Sequence, residues 1–284
     1  MLRFDANLRW LFTEVPMEER YAAAAQAGFR GVEVAFPYEM PARELSTLLV
    51  DNDLTLVQIL TPMDWAKGER GLAALPDRVG DFQDSVRIAV EYAAQVGRPY
   101  IHPLAGNLPE GADAARYYDT FIKNLAFTAE LAGQEQLTVI IEPVCRARFP
   151  SFLFKRLAEG VEIIKKVGRD NVRLCFDTFH VQMEEGALTD NLEQYLPWIG
   201  HLQIGNTPGR NEPGPGEIHF PFLFEQIERL GWSKWIGCEF APSGHTLDCL
   251  NWGAPFGLHP PAGHQKHARK PLAVNSSERK RGWT

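Results

Sequence analysis

Short runs rich in Val, Ile and Leu alternate along the chain with longer segments whose apolar residues recur every three or four positions. A brief apolar run bounded by turn residues marks a strand, and the longer period marks an amphipathic helix. Eight strand candidates can be counted, at 3–8, 31–35, 54–60, 100–104, 138–142, 172–177, 201–204 and 235–239. Helical stretches such as 17–27, 79–96 and 114–132 lie between them. Gly28, Gly97, Gly168 and Gly231 stand just past helical segments, where a residue that tolerates positive φ can end a helix. Repeated βα units imply parallel strands, and this count predicts an α/β fold, a (β/α)8 TIM barrel. The repeat is architectural, with no duplication visible in the sequence itself.

At 284 residues, 45% hydrophobic and 23% charged, the chain is long enough to bury one large core. A formal net charge of −7 gives no broad attraction to phosphate backbones, so a small molecule is expected as partner and nucleic acid is not. The four cysteines, Cys145, Cys175, Cys238 and Cys249, form neither a CxxC pair nor a dense disulfide framework. A reducing cytoplasm suits them. No apolar run approaches the roughly 20 residues of a membrane span. The opening MLRFDANLRW lacks the basic flank and apolar core of a secretory signal. A cytoplasmic protein without a membrane partner is therefore expected. Barrel rims often pair, so a homo-oligomer is compatible with this reading, although composition does not show one.

Three connections are longer than a barrel needs, at 61–78, 143–154 and 205–219, and all three follow strand candidates. In this architecture the loops after strands build the face that carries active sites, so the three should crowd one rim and partly cover a pocket. The barrel is expected over residues 1–256. From 257 to 284 the character changes to six Lys or Arg, three His and one Glu without sustained period, which reads as a basic, disordered tail.

Carboxylates stand at the ends of the apolar runs. Glu142 closes LTVIIE, Asp177 closes VRLCFD and Glu239 closes KWIGCE. A strand this apolar is buried on both faces, so an ionised group at its end needs a partner, a hydrogen-bond network or a metal. On the seventh strand Gln203 brings a neutral carbonyl oxygen toward the same mouth, with His201 at the same side-chain parity and deeper. Two or three carboxylates plus an amide suit Mg²⁺ or Mn²⁺ better than zinc. Taken singly, Asp177 could cap the following helix and Gln203 could bond backbone. As a set, the four point to one divalent metal ion.

His180, three residues beyond Asp177, could donate to a substrate oxygen or stabilise a developing enolate. Arg210, in the loop GNTPGRNEPGPGEI, offers the forked donors that grip a carboxylate, although an ordinary loop arginine would read the same. Glu217 in GEIHF could orient Arg210 or a helix terminus. Glu33 and His102 sit at strand ends, where they could floor the pocket or bind substrate hydroxyls. The GERG stretch at 68–71 has neither the spacing nor the setting of a phosphate loop.

The segments FDANLRWLFTEVP, GFRGVEVAFPYE, IIEP, DTFHVQMEEG, HLQIGN, GEI and WIGCEF together resemble the hydroxypyruvate isomerase family, a branch of the xylose-isomerase-like barrels. The resemblance runs from residue 1 to about residue 252. LFTEVP, DNV with DTFH, and GWSKWIGCEF look closest to 2-oxo-tetronate isomerase members. It implies an isomerase of a short hydroxy-keto acid, hydroxypyruvate or 2-oxo-tetronate. Glu142 and Glu239 would be both the acid/base pair and metal ligands, and Asp177 and Gln203 would complete the metal site. By similarity to related ketose epimerases, His180 and Arg210 would contact substrate. Two departures stand out, the unusual VCRARFPSFLF after IIEP and an ending past Trp252 that lacks the family's form. A metal-dependent ketose 3-epimerase is the nearest rival reading. A phosphodiesterase like the abasic-site endonucleases would want a richer His cluster and a basic groove, and a non-catalytic metabolite-binding barrel would use the carboxylates only to hold an ion.

Overall fold

The structure, a computed structural model, describes residues 1–261 and residue 264. All eight expected strands are present: β1 (Arg3–Asn7), β2 (Gly31–Glu33), β3 (Thr55–Leu60), β4 (Tyr100–His102), β5 (Val139–Ile141), β6 (Val172–Asp177), β7 (Ile199–Ile204) and β8 (Trp235–Cys238). They close in sequence order into a barrel. The β1–β8 pairing that seals it is parallel like the rest, with Asp5 opposite Gly237. The helices follow the strands: α1 (Met17–Gln26), α2 (Ala42–Asp51), α3 (Val79–Gln95), α4 (Ala114–Gln134), α5 (Leu157–Val167), then α6 (Thr178–Glu184) and α7 (Leu188–Tyr195) together after β6, and α8 (Phe220–Arg229) after β7. No helix among the described residues is long and apolar enough to cross a membrane.

The main apolar core lies between strands and helices. Phe82, Val86, Ala89, Val90 and Ala93, spaced three and four apart on α3, turn one buried stripe toward the strands. Each such aliphatic or aromatic burial stabilises the fold by about 1.5–3 kcal/mol. Gly168 ends α5 with φ of 64°, and Gly28, Gly97 and Gly231 also adopt positive φ, as their positions predict.

After β8 no α-helix forms among the described residues. Two 3-10 segments, Thr246–Cys249 and Asn251–Phe256, take its place. Trp252 and Phe256 meet Phe4 of β1 at ring-centroid distances of 5.1 and 5.0 Å, and both rings also touch Phe224 of α8. Packing continues past the expected barrel boundary at residue 256, because Leu258 is buried and the His259 N–H donates to the Ala27 carbonyl at 3.0 Å. Apart from these first residues and His264, the basic tail lies outside the described residues.

The barrel interior departs from the usual packed apolar layers. Side chains alternate in and out along a strand. The inward set here holds Asp5, Asn7, Glu33, Gln58, His102, His201, Gln203 and Asp177, all buried. So many buried polar groups in one place need mutual pairing or a ligand.

Candidate active site

Glu33, His102, Glu142, His180, Arg210 and Glu239 line one cavity of about 310 Å³ at the C-terminal mouth of the barrel. Glu142 and Glu239 are the first residues past β5 and β8, so each strand delivers its carboxyl directly into this space. Asp177 and Gln203, paired across β6 and β7, lie just behind the wall, where they contact the lining residues Arg210 and Glu33. The three long loops crowd the rim as expected, supplying Trp65 and Arg70, then Val144, Arg148, Phe149 and Phe152, then Arg210.

One half of the interior is organised around Arg210. Its backbone has φ of 54°, a left-handed conformation that a non-glycine residue seldom adopts and that tends to mark functional sites. Its guanidinium is buried against the Asp177 Oδ2, 3.1 Å from Glu239 Oε1 and 3.1 Å from His180 Nε2, while Nε donates to the Glu239 carbonyl at 3.1 Å. Gly205 admits it, since a Cβ there would stand 3.1 Å from the Arg210 Cγ. Asp177 also caps α6, its Oδ1 accepting from the Phe179 N–H at 2.8 Å. The capping reading of Asp177 and its place in the site are thus both realised. Trp10 donates through Nε1 to Glu239 Oε1 at 3.2 Å.

Charge is crowded here. Burial, then the neighbouring Glu239 and Asp177, push the Glu142 carboxyl well above its ordinary range, and its Oε1 has no hydrogen-bond partner. Burial raises Glu239 to about 7, with Arg210 opposing the shift. Asp177 is raised by burial, again against Arg210. Burial would lower the Arg210 pKa, but the carboxylates of Asp177, Glu239 and Glu142 carry it above its ordinary value, so it stays a cation. Burial and the Arg210 and Arg148 cations hold His180 far below its ordinary value, so its imidazole is neutral. Ligand atoms of Glu142, Asp177 and His180 all lie within 4.8 Å of one another.

The other half is organised around Glu33. Its Oε1 meets His201 Nε2 at 2.5 Å, and its Oε2 accepts from Gln203 Nε2 and Asn7 Nδ2, both at 2.8 Å. Burial alone would raise the Glu33 pKa, yet His201, Gln203 and Asn7 together bring it below its ordinary value. Asp5 beside it is raised well above the carboxylate range, by burial and then by Glu33. His102, driven down to about 3 by burial, has no partner on either ring nitrogen and faces the cavity.

Three expectations change. The carbonyl oxygen of Gln203 does not point into the mouth, because Oε1 is 3.1 Å from Cys175 Sγ and the amide nitrogen holds Glu33. Arg210 lines the cavity but does not present a free fork, since most of its donors already meet Asp177, Glu239 and His180. Glu217 does not reach Arg210 and instead accepts from the Thr207 hydroxyl at 3.1 Å on an exposed loop. Arg9, Trp10, Trp65, Arg70 and Arg148 were not singled out from the sequence, and all five line the cavity.

A model of the xylose isomerase-like TIM barrel matches residues 21–267. A 2-oxo-tetronate isomerase from Cupriavidus necator is 44% identical over 90% of this chain and 99% of its own length. The chain belongs to the hydroxypyruvate isomerase family of these barrels. The hydroxypyruvate isomerase of Escherichia coli is 39% identical over 90% of this chain and 100% of its own length. A Brucella melitensis crystal structure described as an AP endonuclease of family 2 superposes with a TM-score of 0.87 at 39% identity, covering 90% of this chain and all of that one. Membership of the family makes this member an enzyme of the isomerase class.

Proposed function

We propose that the protein interconverts a short hydroxy-keto acid and its carbonyl-shifted isomer, by proton transfer between adjacent carbons through an enediolate. The substrates would be hydroxypyruvate and tartronate semialdehyde, or 2-oxo-tetronate and its 3-oxo isomer. Glu142 and Glu239 are the proton carriers, and one divalent cation, Mg²⁺ or Mn²⁺, assists. The observation that carries the reading is the unpartnered, buried Glu142 Oε1 in a cavity it shares with Glu239, both carboxyls displaced upward in pKa.

The residues fit a hard cation. An orphaned carboxylate oxygen, two further carboxylates and one imidazole, with Arg210 as the cation in direct contact with them, leave room for another positive charge. Glu142, Asp177 and Glu239 would hold it, and Gln203 would add its carbonyl only by leaving Cys175. Bound there, the ion would supply Lewis-acid polarisation of the substrate oxygens.

The chain's own groups account for the rest. A proton leaving carbon needs a base whose pKa lies near the working pH, and burial brings Glu239 to that range. Glu142, in the same cavity, would return a proton to the neighbouring carbon. Arg210 and Trp10 fix the Glu239 carboxyl in place, and neutral His180 adds no charge to disturb the pair. Purified protein loaded with Mg²⁺ or Mn²⁺ should exchange solvent deuterium into hydroxypyruvate or 2-oxo-tetronate, followed by proton NMR. Chelator should abolish the exchange and added ion should restore it. Exchange into free ketoses but neither acid would transfer the reading to a 3-epimerase.

A further inference from the structure

With Arg210 engaged by Asp177, Glu239 and His180, the cavity still presents three more arginines at its mouth. Arg9 follows β1, Arg70 lies in the loop after β3, and Arg148 in the loop after β5. We infer that Arg9, Arg70 and Arg148 form the binding site for the carboxylate end of the substrate, holding it at the rim while the reacting carbons reach Glu142 and Glu239. This inference rests on the hydroxy-keto acid reading and assigns its recognition to residues from three separate loops.

Each of the three guanidiniums is held against an aromatic ring at the rim. The guanidinium carbons of Arg9 and Arg70 each lie 4.0 Å from the Trp65 ring centroid. Arg70 also lies 5.8 Å from the Phe149 ring and Arg148 lies 5.9 Å from that of Trp10. Stacking on aromatic faces orients a guanidinium while leaving in-plane N–H donors for an oxygen ligand. Arg70 is further fixed by Nη1, which donates to the Trp65 and Glu69 carbonyls at 3.3 and 2.8 Å, so its Nε and Nη2 are left for the ligand. Among the described residues none of the three has a carboxylate within ion-pair distance, although most other arginines at the surface do. Burial lowers the Arg9 pKa against the attraction of Glu239, and repulsion by the like charges of Arg70, Arg148 and Arg210 lowers it further. An anion between them relieves that repulsion. The cavity of about 310 Å³ limits the anion to a small one.

The test compares wild type with R9Q/R148Q, two exposed side chains that donate no recorded hydrogen bond, so the fold should survive; circular dichroism and melting temperature check that it does. Binding of glycerate, a short hydroxy acid, and of glycerol, its neutral counterpart, is measured by calorimetry, and turnover of hydroxypyruvate and 2-oxo-tetronate is followed in parallel. The double variant should bind glycerate at least tenfold more weakly, leave glycerol unchanged, and raise KM for the acids at least tenfold with kcat within threefold. R9K/R148K should recover part of the affinity. Equal glycerate affinity in wild type and R9Q/R148Q overturns the site, whatever the turnover. Arginine-dependent glycerate binding with no turnover of either acid by wild type would uphold the site and remove the isomerase reading.

Discussion

Two carboxylate clusters share the barrel interior and are neutralised differently. Glu33 has each oxygen engaged, by His201 on one side and by Gln203 and Asn7 on the other. Glu142, also buried, keeps an oxygen without a hydrogen-bond partner. A satisfied buried network rigidifies a core, whereas an unsatisfied one is costly until something binds. The Glu33 carboxylate itself is therefore held as framework, although Asp5, His102 and the His201 Nδ1 around it lack hydrogen-bond partners. The Glu142–Glu239 cluster at the mouth is the part prepared to exchange protons and ligands.

That contrast breaks most decisively at the carboxylates of the mouth. Glu142→Gln or Glu239→Gln should lower kcat by about 10³-fold, within the range general acid–base catalysis supplies, with melting temperature nearly unchanged. Near-normal turnover in both would take them out of the chemistry. Glu33→Ala should do the reverse. Leaving His201 and Gln203 without their partner should cost about 3–5 kcal/mol in urea denaturation, with a smaller effect on the turnover of the molecules that remain folded. Stability untouched and activity abolished would place Glu33 in the reaction instead.

Acidity separates the clusters next. Glu239 titrates near 7 in the folded state, above its ordinary value of 4.5, so between these values the folded form holds the extra proton. Raising the pH of metal-free protein from 5 to 8 should then destabilise it by on the order of 1–3 kcal/mol through this group. E239Q should flatten that slope. Glu33, held below its ordinary value, contributes in the opposite sense: its stabilisation is present at neutral pH and lost as the solution is acidified through its folded pKa. The smallest effect is expected of Trp10→Phe, which deletes one hydrogen bond to Glu239 worth about 1 kcal/mol. It should reduce kcat less than tenfold and move the acidic limb of the pH–rate profile, which reports the ionisation of the Glu239 base, to a higher pKa.

The barrel was legible because parallel strands buried on both faces read as short apolar runs, and the carboxylates ending those runs marked the mouth. Direction within the barrel was harder to read. Parity correctly turned Gln203 inward, but whether its oxygen or its nitrogen meets the cavity depends on Glu33 and Cys175, which lie 170 and 28 positions away. Asp5 and Asn7 carried a usable signal, two polar residues of one parity alternating with Phe4, Ala6 and Leu8 in the first strand segment. Gly237 carried none, although a Cβ there would stand 2.2 Å from Glu33 Oε1. Arg9, Arg70 and Arg148 each look like ordinary loop residues until three loops bring them onto shared aromatic rings.

The aromatic seal over the β1–β8 seam sets an order of events in the cell. Phe4 is made about 250 residues before Trp252 and Phe256, which cover it. Until then the first strand lacks both its neighbouring strand and its cover, so the barrel cannot close before residues 235–256 have been made. Truncation before Trp252 would leave an open apolar edge, and such a product should collect in inclusion bodies while the full-length chain stays in the supernatant.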